Sequence, residues 1–123
     1  MIKANELRSG NLVQGKSLSI PRLQIFNDGV TRITAYGIHV IESEQYTNYK
    51  PIPLTEEWLI KCGFKFQNIL KKAYQRNLYL YKGFGIYEVK PKEFFYKEIQ
   101  IKYVHQLQNL YFALTGDELE INL

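Results

Sequence analysis

Two histidines and one cysteine are the residues from which metal or nucleophilic chemistry would most readily be built. Their positions argue against both. His39 and His105 are far apart in sequence and lack ligand spacing, so neither a zinc knuckle nor the two-histidine helix motif runs through them. His105 reads as a polar residue on an amphipathic helix. Cys62 falls near the end of a short predicted helix beside Ile60 and Phe64. A helix C-terminus does not depress a thiol pKa, so a buried, inert cysteine is expected. Gly83-Phe84-Gly85 lacks the third glycine and following helix of a dinucleotide fingerprint, and a two-glycine hairpin explains it better. Paired carboxylates occur as Glu42/Glu44, Glu56/Glu57 and in the acidic tail, and Glu56 and Glu57 already suit a helix start. The expectation is a protein without catalytic residues, cofactor or metal.

Charge and aromatic content carry more information. Residues 1–57 balance six basic against six acidic side chains, residues 58–103 carry ten basic against three acidic, and residues 104–123 carry only Asp117, Glu118 and Glu120. From Trp58 to Tyr87 there is no acidic residue. A field of one sign attracts polyanions or an acidic protein surface. The chain also holds 10 Tyr, 7 Phe and 1 Trp, an aromatic share of 15%. Between Lys61 and Lys102 the basic residues interleave with Phe64, Phe66, Tyr74, Tyr79, Tyr81, Phe84, Tyr87 and Phe94 to Tyr96. Sites for single-stranded nucleic acid combine a positive groove with aromatic platforms. A sheet with its rings turned inward and its ammonium groups in water has the same pattern. The candidate partner-binding residues are Lys61, Lys65, Lys71, Lys72, Arg76 and Lys82, with Tyr74, Tyr79 and Tyr81 as aromatic anchors.

The elements that must position these residues point to one α+β domain over residues 1–123. The first 45 or so residues suggest a small antiparallel sheet, open or partly closed into a barrel. Gly10 and Asn11 precede a first strand, Pro21 marks an edge strand or irregular connection, and Asn27-Asp28-Gly29 marks a turn. After it, Val30, Ile33, Ile38, Val40 and Ile41 make a β-rich stretch interrupted by Gly37. Thr55 followed by Glu56 and Glu57, with Gly63 to stop, predicts a helix of about two turns. Residues 65–77 fit either a helix face through Ile69, Leu70, Ala73 and Tyr74 or a loop. Two strands then flank a turn at Lys82 to Gly85, and Phe94 to Tyr103 reads as a further strand. Val104, Leu107, Tyr111 and Leu114 recur at helical spacing, with His105, Gln106, Gln108 and Asn109 covering the other side and Gly116 as stop.

One cysteine permits no intrachain disulfide, the first residues lack the apolar core of a signal peptide, and the longest apolar run is Leu110 to Leu114. A cytoplasmic location is expected.

Three blocks have a recurrent look: Asn5-Glu6-Leu7-Arg8-Ser9-Gly10-Asn11, the run Pro51-Ile52-Pro53-Leu54-Thr55-Glu56-Glu57-Trp58-Leu59, and Ile101 to Gly116. Their order and content resemble a family of small uncharacterised proteins encoded in bacterial and phage-type mobile genomes. Ser9 departs from the aliphatic residue common in such openings, and residues 64–100 have no counterpart in the resemblance. What it implies is an accessory role: binding and disabling a host machine, such as a CRISPR effector or another defence nuclease. It brings no catalytic residues. The leading expectation is therefore a non-catalytic inhibitor of a protein or ribonucleoprotein partner such as a nuclease complex. The alternative is a small RNA- or DNA-binding β domain using basic residues 61–82. No membrane partner is expected.

Overall fold

The computed structural model describes residues 6–15, 24–25, 29–34, 38–39, 49–71 and 74–123, with residues 24–25, 68–71 and 74–76 described by their backbone alone. The fold is α+β: antiparallel sheets and two helices, the longer near the C-terminus. Neither sheet closes into a barrel among the described residues. The chain divides into two compact units, Met1–Ile52 with Tyr103–Asp117 and Pro53–Lys102 with Glu118–Leu123.

In the first unit, β1 (Leu12–Gln14), β2 (Gln24–Ile25) and β3 (Val30–Arg32) form an antiparallel sheet in the order β1-β3-β2. The sheet is short because the apolar run after Gly29 does not continue as strand. Ile38 and His39 are helical, the amide of Ile38 donating to the carbonyl of Thr34 at 2.9 Å, where the sequence suggested strand at Ile38. Val40 and Ile41 lie outside the described residues, as do Pro21, Asn27 and Asp28.

The unit's helix runs over Val104–Thr115, and Gly116 ends it at φ 77° with its amide on the carbonyl of Phe112. The periodic spacing located this helix correctly but misplaced its polar side. Val104, Leu107 and Tyr111 are buried, yet so are His105 and Gln108, while Leu114 is 53% exposed. The reason lies at the other end of the sequence. The amide of Leu12 donates to Gln108 Oε1 at 2.8 Å, and Gln108 Nε2 donates to the carbonyl of Gly10 at 3.1 Å. Asn11 Nδ2 donates to Asn109 Oδ1 at 2.8 Å, and Asn109 Nδ2 donates to the carbonyl of Glu6. A buried amide side chain that satisfies two backbone groups is as acceptable inside as a leucine.

In the second unit, α1 (Glu56–Lys61) begins as its sequence predicts: the Thr55 hydroxyl accepts from the amide of Trp58 at 3.3 Å. It ends in a Schellman motif, with the amide of Gly63 on the carbonyl of Ile60 and that of Phe64 on the carbonyl of Leu59. Gly63 has φ 89°, and a Cβ there would sit 3.0 Å from the Tyr81 ring, so glycine is required on both counts. The Val104–Thr115 helix, being second in the chain, is α2.

Five strands follow as an antiparallel meander: β4 (Lys65–Lys71), β5 (Tyr74–Tyr81), β6 (Phe84–Lys90), β7 (Glu93–Tyr96) and β8 (Ile99–Ile101). Residues 65–77, read as helix or loop, are instead β4 and the start of β5, paired from Lys65 opposite Leu80 to Lys71 opposite Tyr74. The expected single strand from Phe94 to Tyr103 is two strands, because Lys97 adopts φ 51° and turns the chain. The β5–β6 turn is Lys82-Gly83, at φ 47° and 82°, the pairing of positive angles that a two-residue type I′ hairpin needs. Gly85 belongs to β6, where Leu78 and Leu80 close over it. Tyr79, Ile86, Phe94 and Ile101 are buried together on one face of this sheet.

Candidate partner-binding surface

A meander places its successive turns at alternate ends, and that determines where the basic residues go. The end of α1, the start of β4, the β5–β6 turn and the β7–β8 turn share one end of the sheet. Lys61, Lys65, Lys82 and Lys97 collect there. Lys71, Lys90, Lys92 and Lys102 fall toward the opposite end, and β4, seven residues long, separates Lys65 from Lys71 by ~20 Å at the usual strand rise. Of the basic residues proposed from the sequence, Lys61, Lys65 and Lys82 therefore share one end of the sheet, and the backbone of Lys71 lies toward the other. Arg76 stands opposite Ile69 within the hairpin, and Lys72 lies outside the described residues.

The first end has a definite construction. Lys61 Nζ lies 4.7 Å from the centroid of the Trp58 ring, Lys82 Nζ 5.2 Å from that of Tyr81, and Lys97 Nζ 5.5 Å from that of Tyr96. All three are within the range of a cation–π interaction. The rings beneath join in a row: Tyr81 tilts against Phe64 at 5.6 Å, Phe64 meets Phe84 edge-on at 6.1 Å, and Phe84 stacks on Tyr96 at 4.5 Å. The Lys82 and Lys97 ammonium groups thus lie over one connected set of rings, and that of Lys61 over Trp58. Lys61 also pairs with Glu57 at 3.6 Å, across one helical turn. Next to this row, a groove of about 390 Å³ is bordered by Ile60, Lys61, Cys62, Gly63, Tyr81, Glu120, Ile121 and Asn122. The Asn122 amide holds the tail there by donating to the carbonyl of Lys61.

The three aromatic anchors proposed from the sequence have different fates. Tyr81 is half-buried beneath Lys82. Tyr79 is fully buried, packed between Phe66 at 5.4 Å and Phe94 at 6.0 Å, and is a core residue, not an interface anchor. Burial, then the charges of Glu88 and Glu56 and a hydrogen bond with Glu56, push its phenol up to about 12. Tyr74 opens β5 opposite Lys71. The sequence reading counted Phe84 and Tyr96 in the basic-aromatic stretch but did not choose them, or Trp58 and Lys97, as partner-binding residues. A signal was present: Tyr81-Lys82 and Tyr96-Lys97 are the same dipeptide, each entering a two-residue turn.

The titratable groups weighed as chemistry occupy other settings. Cys62 is buried, which pushes its thiol up to about 12, far from a reactive thiolate. His105, 1% exposed, stacks on Tyr103, and neither ring nitrogen has a hydrogen-bond partner; Glu6 approaches Nε2 to 3.9 Å. Burial lowers its pKa, and Glu6 partly opposes the shift. Among the described residues no group of three His, Cys, Asp or Glu is placed to hold a metal ion. No helix among them is long and apolar enough to cross a membrane. In comparisons with known proteins, no family model, no curated protein and no solved structure matches this chain.

Proposed function

We propose that this chain is a non-catalytic accessory protein of the mobile-element or phage type. It acts in the cytoplasm by binding and inhibiting a macromolecular machine of its host, a defence nuclease being the leading example. The observation that carries this reading is the row of Lys61, Lys82 and Lys97 over Trp58, Tyr81 and Tyr96. Lysine side chains on aromatic bases lose less freedom on binding than free ones, and a preordered positive row suits an acidic or phosphate-bearing surface.

Direct binding of single-stranded RNA or DNA by base stacking is the second reading, and the rings weigh against it. Phe64 and Phe84 are 3% and 7% exposed, and ammonium groups already occupy faces of Tyr81 and Tyr96. Stacking needs open ring faces. Charge without stacking favours a protein or ribonucleoprotein surface.

The test is capture of partners by the tagged protein from host lysate, with and without nuclease treatment, for the parent and for Lys82→Glu/Lys97→Glu. A protein partner retained after nuclease and lost with the double reversal supports the reading. Recovery of nucleic acid alone, with affinity falling steeply in salt, supports the second reading instead. Unchanged capture by the double reversal overturns the surface assignment.

A further inference from the structure

We propose that the outer edge of β4 is a docking strand that accepts an extended, acidic segment of a partner protein as a sixth strand of the sheet. The inference rests on the binding reading above and names the chemistry of the partner segment.

β4 stands at the end of the strand order, and among the described residues its only strand partner is β5. One alternating set of its backbone N–H and C=O groups therefore points away from the sheet. A strand edge of this kind is a template for pairing with another chain. The opposite edge, β8, spans three residues, whereas β4 offers seven, or ~24 Å of ladder. Phe66 lies on this edge, 47% exposed and backed by the ring of Tyr79 at 5.4 Å. It supplies an apolar contact for a side chain of the added strand, while Lys65 and Gln67 flank it in solvent.

The lysines at the two ends of β4 select the occupant. In a second copy paired antiparallel about Asn68, Lys65 would stand opposite Lys71 at both ends. A parallel, in-register pair would put each lysine beside its own copy. Like charges in these positions oppose pairing, so self-association through this edge is disfavoured. The same two lysines favour a segment with carboxylates six residues apart. That separation is even, which keeps both positions in one row of the pleat. With no acidic residue between Trp58 and Tyr87, nothing nearby in the sequence competes for them.

The probe is a blocked nine-residue peptide with Val at the odd positions and Thr at the even ones, except for Glu at its second and eighth positions, so that Val stands opposite Phe66. Its control has Lys at those two positions. The full chain, labelled with nitrogen-15, is titrated with each, and amide shifts and exchange protection are read residue by residue. Saturable shifts and protection confined to residues 66–70 are expected, with the Lys peptide about tenfold weaker or worse. Lys65→Glu/Lys71→Glu should reverse the preference, and recovery of binding to the Lys peptide also shows that this variant is folded. Equal binding of the two peptides, shifts centred on β8 or on the Lys82 and Lys97 turns, or a concentration-dependent dimer without peptide would each overturn the proposal. An oligonucleotide that shifts residues 66–70 while the Glu peptide does not would overturn it in favour of phosphate binding. If capture of the partner is lost with Lys82→Glu/Lys97→Glu but the Glu peptide leaves β4 unmoved, only the edge proposal fails. If capture survives reversals at both places, the binding surface itself is wrongly assigned.

Discussion

The two units solve the problem of burying polar groups in opposite ways. In the first, buried amide side chains are taken inside and bonded: Gln108 holds the backbone of Gly10 and Leu12, and Asn11 joins Asn109, while buried His105 has no hydrogen-bond partner on its ring nitrogens. In the second, the interior is aromatic and the polar groups are driven to the ends of the strands, where lysines occupy the turns. A small sheet of two- and three-residue strands has little apolar area to bury, so directional bonds must fix its partner helix. A five-stranded meander with Tyr79, Ile86 and Phe94 in its core has area enough, and its periphery is left for charge. The lesson is that the unit with the looser sequence signature holds the more demanding interior, while the unit with the unusual composition keeps its unusual residues for the surface.

Core truncation should give the largest effect. Tyr79→Ala is expected to cost about 3–5 kcal/mol in denaturant unfolding, the range for emptying a large aromatic site. Tyr79→Phe, which removes only the hydroxyl bonded to Glu56, should cost about 1 kcal/mol. Equal losses in the two variants would mean the phenol's polar contacts, not its ring, hold the second unit together.

Gln108→Leu comes next. It fills similar space but leaves the Leu12 amide without its Gln108 partner and the Gly10 carbonyl with Arg32 Nη1 alone, so a loss of about 1–3 kcal/mol is expected. Asn109 is only half-buried, and Asn109→Ala should cost less than Gln108→Leu in the same unfolding experiment. If Gln108→Leu proves neutral, the polar interior of the first unit is incidental and the comparison collapses.

Gly63→Ala and Gly83→Ala both force a side chain into positive φ, about 1–2 kcal/mol each. Only the first also drives a Cβ against the Tyr81 ring, whereas nothing lies within 4 Å of the second. Thermal melts should therefore rank Gly63→Ala as the more harmful. An equal ranking would show that the aromatic row yields easily.

The units should also differ in which side of neutrality harms them. His105 has a pKa below its usual value of 6.5 in the fold. The stability linked to it is complete above 6.5 and is lost as pH falls through the folded value, because the unfolded chain takes the proton first. Cys62 and Tyr79 are raised from 9.0 and 10.0 to about 12. Stability linked to them is complete below their unfolded values and drains away as pH climbs toward 12. Urea midpoints followed against pH should flatten on the acid side in His105→Gln and on the alkaline side in Cys62→Ala/Tyr79→Phe. The assignment fails for whichever variant keeps the parent slope.

The smallest effect is expected at the rim. Lys82→Glu/Lys97→Glu should change stability by about 0.5 kcal/mol or less, since such surface changes remove little packing. A large loss in calorimetry would mean that the lysines over Tyr81 and Tyr96 are structural, and would count against their role in binding.

Much of the fold was legible wherever a signal is complete within one turn or one helix. Thr55, Glu56 and Gly63 specify α1 because capping involves neighbours within four residues. Gly116 and the spacing of Val104, Leu107 and Tyr111 specify α2 in the same way. Residues 65–77 read as helix or loop because Ile69, Leu70, Ala73 and Tyr74 fit a helix face, and the pairing of β4 with β5 decides for strand. The break at Lys97 had no glycine or proline to announce it.

The sequence alone determined the class of fold, the two helices, the Thr55 cap, the Gly63 and Gly116 stops and the excess of positive charge between residues 58 and 103, all of which depend on local chemistry or on counting. Tertiary structure alone decided that His105 and Gln108 face inward, that Tyr79 is core, and that the lysines divide between two ends of a sheet. The physical reason is range. Whether a polar side chain can be buried depends on a partner such as Gly10, 98 positions away from Gln108, and no local pattern carries that information. Where a charge stands depends on which strands lie side by side, and register is fixed by the packing of the whole sheet.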